Sequence, residues 1–140
     1  MREKVLLYIE DEDAAAFLLE TALREADIPL QVYRVSDGDQ AIAFLHRSGT
    51  YESAPKPDLI LLDLNLPRRS GLEILAELQS DGDLRSIPAV VFTSSSAPSD
   101  QRKSFSLGAR QYITKPSSFD GFLGAIRSAC SEVFGNGTPA

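Results

Sequence analysis

Four short strand-like runs in this 140-residue chain, three of them apolar throughout or nearly so, each end in a residue able to do chemistry. Val5-Leu6-Leu7-Tyr8-Ile9 ends in four consecutive acids, Glu10-Asp11-Glu12-Asp13, and Leu59-Ile60-Leu61-Leu62 ends in Asp63. Ala89-Val90-Val91-Phe92 ends in Thr93 and the hydroxyl run Ser94-Ser95-Ser96, and Gln111-Tyr112-Ile113-Thr114 ends in Lys115-Pro116. Taken singly, an Asp after a strand commonly starts a turn or caps the next helix, and Asp63 is open to that reading. Taken together, the groups allow more. Carboxylates gathered within a few ångströms raise each other's proton affinity unless a cation sits among them. Mg²⁺ takes oxygen ligands, accepts one or two carboxylates and tolerates a phosphate oxygen, so Asp11 and Asp63 suit it, with a backbone carbonyl near Asn65 as a further ligand; Mn²⁺ is an alternative. A carboxylate can also attack phosphorus to give an acyl phosphate, with the metal and Lys115 neutralising charge and Thr93 donating to a phosphate oxygen.

These groups matter only if the elements that carry them converge. The run before Asp63 is continuously apolar between Pro57 and Pro67, as in a strand of a parallel sheet covered on both faces. Between the runs lie helical patterns. From Asp13 to Ala26 the residues Ala15, Leu18, Leu19, Ala22 and Ala26 form one stripe, and Phe17 faces the other way. Leu30 to Val35 alternates as an edge strand would, and a helix follows from about Asp39 to Arg47, burying Ala41, Phe44 and Leu45. Residues 48–56 read as a loop. Ser70-Gly71 opens a helix with Ile74, Leu75 and Leu78 on one face, ending near Gly82. The segment from Ser99 to Gly108 has Phe105 and Leu107 as almost its only large apolar residues, so a helix there has a small buried face and is expected to be mobile. The last helix carries Phe119, Phe122, Leu123, Ile126, Ala129, Cys130 and Val133 in one stripe, and residues 135–140 form a flexible tail.

Five alternations of strand and helix predict an α/β fold, a doubly wound parallel five-stranded sheet, and right-handed crossovers put every strand's carboxyl end on one edge. Glu10-Asp11, Asp63, Thr93 and Lys115 then share a rim. Ligands bind at that edge in such folds.

The totals narrow the partners. Fourteen basic against twenty acidic side chains leave a net charge of −6, which speaks against a nucleic-acid backbone binder and against membrane-surface adhesion. Hydrophobic residues make up 43% of the chain, enough to core one domain. The lone Cys130 has no internal disulfide partner, no apolar run approaches membrane-spanning length, and the start does not read as a signal peptide, so the cytoplasm is the expected location.

The set Ile9-Glu10-Asp11, Leu61-Leu62-Asp63-Leu64-Asn65-Leu66-Pro67, Phe92-Thr93-Ser94 and Gly108-Ala109-Arg110-Gln111-Tyr112-Ile113-Thr114-Lys115-Pro116 resembles the receiver domain of two-component response regulators. The resemblance implies a (βα)₅ flavodoxin-like fold over residues 1–134 with strand order 2-1-3-4-5. It also implies a metal held by Glu10, Asp11, Asp63 and the Asn65 carbonyl, and phosphorylation of Asp63 by a sensor histidine kinase. Thr93, Ser94, Lys115 and Tyr112 become the phosphate-binding and switch residues, and the Lys115–Pro116 bond is a cis-peptide candidate. The 51–58 loop and the motif Asp63-Leu64-Asn65-Leu66-Pro67-Arg68 look like the stand-alone regulators that partner phytochrome-type kinases. Ser70 replaces an Asp found in many relatives, and Glu12 and Asp13 make the acidic run more negative than the common pattern.

Three rival readings fit less well. A non-phosphorylated receiver-like interaction module usually lacks one of the residues that are all present here. An aspartate-nucleophile phosphohydrolase needs a second acid two residues after the nucleophile, where this chain has Asn65. A flavin-binding protein of the same fold wants a phosphate loop after the first strand, where this chain has four acids. Since no DNA-binding segment follows the last helix, the signal is expected to leave through a surface, by binding a downstream protein or by forming a homodimer. Phe17, Arg68, Arg69 and Phe105 are the candidate contacts. Lone His46 reads as a solvated surface residue.

Overall fold

The computed structural model describes residues 3–135. Five strands, β1 (Lys4–Ile9), β2 (Leu30–Val35), β3 (Leu59–Leu62), β4 (Ala89–Thr93) and β5 (Gln111–Thr114), alternate with five helices, α1 (Asp13–Ala26), α2 (Gly38–His46), α3 (Gly71–Ser80), α4 (Pro98–Ser106) and α5 (Phe119–Phe134). A short 3-10 turn, Gly49–Tyr51, interrupts what reads as plain loop in the sequence. The sheet order is β2-β1-β3-β4-β5, and every pairing is parallel. This is the flavodoxin-like order.

The apolar runs are continuous because both faces of the sheet are covered. Every residue of β3 and β4 is buried. On one side Leu7, Ile9, Ile60, Leu62 and Val91 pack against α2 and α3 through Phe44, Ile74, Leu75 and Leu78. On the other, Leu6, Tyr8, Leu61, Val90 and Phe92 meet α1 and α5 through Leu19, Ala22, Phe122 and Ile126. Strand β2, at the edge, alternates in burial as its sequence does.

Several boundaries and faces differ from the sequence reading. Helix α2 starts at Gly38, since the Asp37 carboxylate caps it by accepting Gln40 N–H at 2.7 Å. The buried face of α1 is turned toward Leu23, leaving Leu18 39% exposed. Helix α4 buries only Ser104, and Phe105 points to solvent. Cys130 is a core residue, as expected, and burial pushes its thiol up to about 11. The cis candidate is corrected: no described peptide bond is cis, so Lys115–Pro116 is trans. Trans is the favoured isomer even before proline, and in it Lys115 N–H still extends the ladder by donating to Thr93 O at 2.7 Å. Of the expected tail, residues 136–140 lie outside the described residues.

Candidate functional site

The rim expected from the strand ends exists, and burial makes its charges interdependent. Glu10 is fully buried and Asp63 nearly so, while Asp11 is exposed. Each of the three offers an oxygen within 4.8 Å of the others. Lys115 reaches into this group from the end of β5, its Nζ 2.6 Å from Glu10 Oε1 and 2.9 Å from Asp63 Oδ2. Glu12 Oε1 stands 3.8 Å from the same ammonium.

Asp63 is held at both oxygens. Its Oδ1 accepts from Thr93 Oγ at 2.8 Å and from Asn65 N–H at 3.1 Å, while Oδ2 faces Lys115. The carboxylate is therefore fixed in orientation, since each lone-pair direction used has a donor. Gly71 adds to this from α3, because a Cβ there would collide with the backbone of Asp63 and Leu64.

The electrostatics follow from burial and pairing. Burial raises the Glu10 carboxyl above its ordinary range, and the Lys115 hydrogen bond and charge only partly oppose it. Burial would lower the Lys115 ammonium, but its bonds to Glu10 and Asp63 outweigh that and hold it above the usual lysine value. Tyr8 is raised by burial and then by Glu10, so its hydroxyl stays a neutral donor, 3.3 Å from Glu10 Oε1.

The extra acids are largely accounted for within the network. Asp13 Oδ1 pairs with Arg34 at 2.7 Å, and Arg34 Nε also donates to the Glu10 carbonyl at 2.9 Å. Glu12 N–H donates to Glu10 Oε2 at 3.3 Å. Ser70 caps α3 in a reciprocal box with Glu73. Neither Tyr8 nor Arg34 is among the site residues expected from the sequence. Tyr8 had a usable signal, since it lies two residues before Glu10 and so on the same face of β1. Arg34 had none, because only the β1–β2 register brings it to Glu10.

Other candidates are placed as follows. Tyr112, half-buried, donates its hydroxyl to Ser95 O at 2.7 Å, although Thr93 already reaches Asp63. Ser94 is exposed. Arg69 Nε donates to Asp39 Oδ1 at 2.9 Å, and Arg68 lies 3.5 Å from Asp37, so both arginines brace the loop after β3 against the start of α2. Phe17 and Phe105 are 63% and 51% exposed, away from the rim chemistry. His46 is not simply solvated: its Nε2 lies 2.9 Å from Glu77 Oε2.

Residues 6–127 match the response regulator receiver domain. The chain belongs to that family. Among curated relatives of this receiver, the response regulator Rcp1 of Synechocystis sp. is 43% identical over 112 residues, spanning 80% of this chain and 76% of Rcp1. The receiver also superposes on the phosphorylated cyanobacterial phytochrome response regulator RcpA with a TM-score of 0.89 at 37% identity, covering 95% of each chain. The Mn²⁺-bound form of Rcp1 gives 0.87 at 37% identity, covering 98% of this chain and 99% of that one.

Proposed function

We propose that this receiver accepts a phosphoryl group on Asp63 from a sensor histidine kinase and signals by a change in its interaction surface. The observation that carries the reading is the environment of Asp63: a fixed carboxylate with an ammonium, a hydroxyl and two further acids around it. In the transfer, an Asp63 oxygen forms a bond to phosphorus as the phosphorus–nitrogen bond of a phosphohistidine breaks, and the electron pair stays on the departing imidazole nitrogen. Lys115 pairs with the new phosphoryl charge, and Thr93 Oγ turns its proton from Asp63 Oδ1 to a phosphoryl oxygen.

The donor set is all oxygen, which fits a hard divalent cation such as Mg²⁺, with Mn²⁺ as an alternative. Glu10, Asp11 and Asp63, with the Asn65 carbonyl, would hold it. A bound ion supplies positive charge that offsets the clustered carboxylates and the incoming phosphoryl oxygens.

Similarity to RcpA and Rcp1 supports a phytochrome-like kinase as the partner. Asn65, two residues after the acceptor, supplies no acid for rapid turnover, in keeping with a phosphoacceptor signalling protein and not an enzyme, for which we take the cytoplasm as the location. The downstream partner is a protein or a second copy of the chain, with no role for nucleic acid. Incubation with acetyl phosphate and Mg²⁺ is expected to label the wild type with an acid-labile phosphoryl group and to leave Asp63→Asn unlabelled. Equal labelling of both would refute the assignment.

A further inference from the structure

Thr93 and Tyr112 both touch a residue that lies outside the phosphate-facing set. Ser95 is half-buried in the turn between β4 and α4. Its N–H donates to Thr93 Oγ at 3.4 Å, and its carbonyl accepts from Tyr112 OH at 2.7 Å. Its hydroxyl donates to Asp100 Oδ2 at 2.6 Å and accepts from Ala97 N–H at 3.3 Å. A hydroxyl–carboxylate bond this short is charge-assisted and among the stronger contacts a side chain makes.

What the bond holds is a helix with little else to hold it. The N-cap of α4 is Ala97, which offers no side-chain cap, and Asp100 stands in the first turn. Ser104, the one buried residue of α4, has a hydroxyl with no hydrogen-bond partner. The Ser95–Asp100 pair therefore acts as a cap from outside the helix, tying its first turn to the end of β4.

We propose that Ser95, acting through Asp100, is a positioning residue that transmits the state of the Thr93–Tyr112 pair to α4. The inference rests on Asp63 being the phosphoacceptor. When Thr93 Oγ turns toward a phosphoryl oxygen, its long contact with Ser95 N–H is the weakest link and gives way. The 94–97 turn then relaxes, and the Ser95 hydroxyl carries Asp100 and the start of α4 with it. Tyr112 follows, because its anchor is the Ser95 carbonyl.

Hydrogen exchange read by mass spectrometry over residues 98–106, with and without acetyl phosphate and Mg²⁺, tests this in the full chain. The wild type is expected to change its α4 exchange on phosphorylation. In Ser95→Ala, α4 exchanges about tenfold faster before phosphorylation, the size expected for losing a charge-assisted bond, and no longer responds to it although Asp63 is still labelled. Ser95→Thr keeps the hydroxyl and retains the response. Asp100→Ala, on the helix side of the bond, repeats the loss and carries the test if Ser95→Ala does not fold. A full response in either alanine variant, its loss in Ser95→Thr as well, or a labelled wild type whose α4 does not respond would overturn the proposal. A wild type that takes no label would instead fail the acceptor reading itself.

Discussion

Lys115 occupies the position in this receiver where a cation is most needed. Two buried carboxylates, Glu10 and Asp63, both lie within 3 Å of its ammonium, whose side chain is only 12% exposed. Removing one partner of a buried ion pair leaves uncompensated charge and typically costs ~3 kcal/mol or more. Lys115→Ala is therefore expected to lose stability of about that size in urea titrations without metal. Added Mg²⁺ should return part of it, since a divalent ion among the same oxygens replaces the missing positive charge. Loss of stability that Mg²⁺ leaves untouched would mean that the acids do not share a cation site. The sequence shows Lys115 at a strand end, and from that alone its meeting with Asp63 is legible. Its tighter contact with Glu10 is not, because which of several acids a flexible side chain selects depends on burial, and Glu10 proves far more buried than Asp11.

At the scale of elements, periodicity placed the core well wherever large aliphatic residues dominate a face. β3, β4 and α3 emerge at or within two residues of where the apolar pattern puts them. It failed where the face is made of small residues. In α1 the alanines blur the stripe: the pattern turns Leu18 inward, whereas the structure buries Leu23 and leaves Leu18 39% exposed. In α4 the single buried residue is a serine, which no hydrophobic pattern can find. Capping chemistry explains a further point that pattern alone left open, the Ser at position 70. Its hydroxyl accepts Glu73 N–H at 3.2 Å while Glu73 Oε1 accepts Ser70 N–H at 3.0 Å. Helix α3 begins one residue later and packs Gly71 against the backbone of Asp63 and Leu64. Ser70→Ala should thus cost ~1 kcal/mol in denaturant unfolding, whereas Ser70→Asp, another good N-cap, should stay within about half of that. A neutral Ser70→Ala would show that the box is incidental.

The whole molecule is acidic outside and aliphatic inside, and the titration of its one thiol reports on that interior. Cys130 lies between α5 and the sheet at 5% exposure, in the cluster that also holds Phe92, Phe122 and Ile126. Burial raises the thiol from an ordinary 9.0 to about 11. The folded state therefore keeps its proton over a range in which the unfolded chain gives it up. Below pH 9 both states are protonated, and the thiol contributes no pH dependence. As pH rises through the unfolded value, the unfolded chain binds fewer protons than the folded one, so stability falls, and the fall ends once the folded thiol also ionises near 11. The full loss is at most ~3 kcal/mol between those limits, since each tenfold difference in proton affinity is worth about 1.4 kcal/mol. Other groups titrate in the same window, so the measurement is a difference. The stability of the wild type minus that of Cys130→Ala, from urea unfolding at intervals across pH 8 to 11, should be flat at first and then decline. A difference that stays constant throughout would place Cys130 in contact with water and break the account of a dry core joining α1, α5 and the face of the sheet behind Asp63.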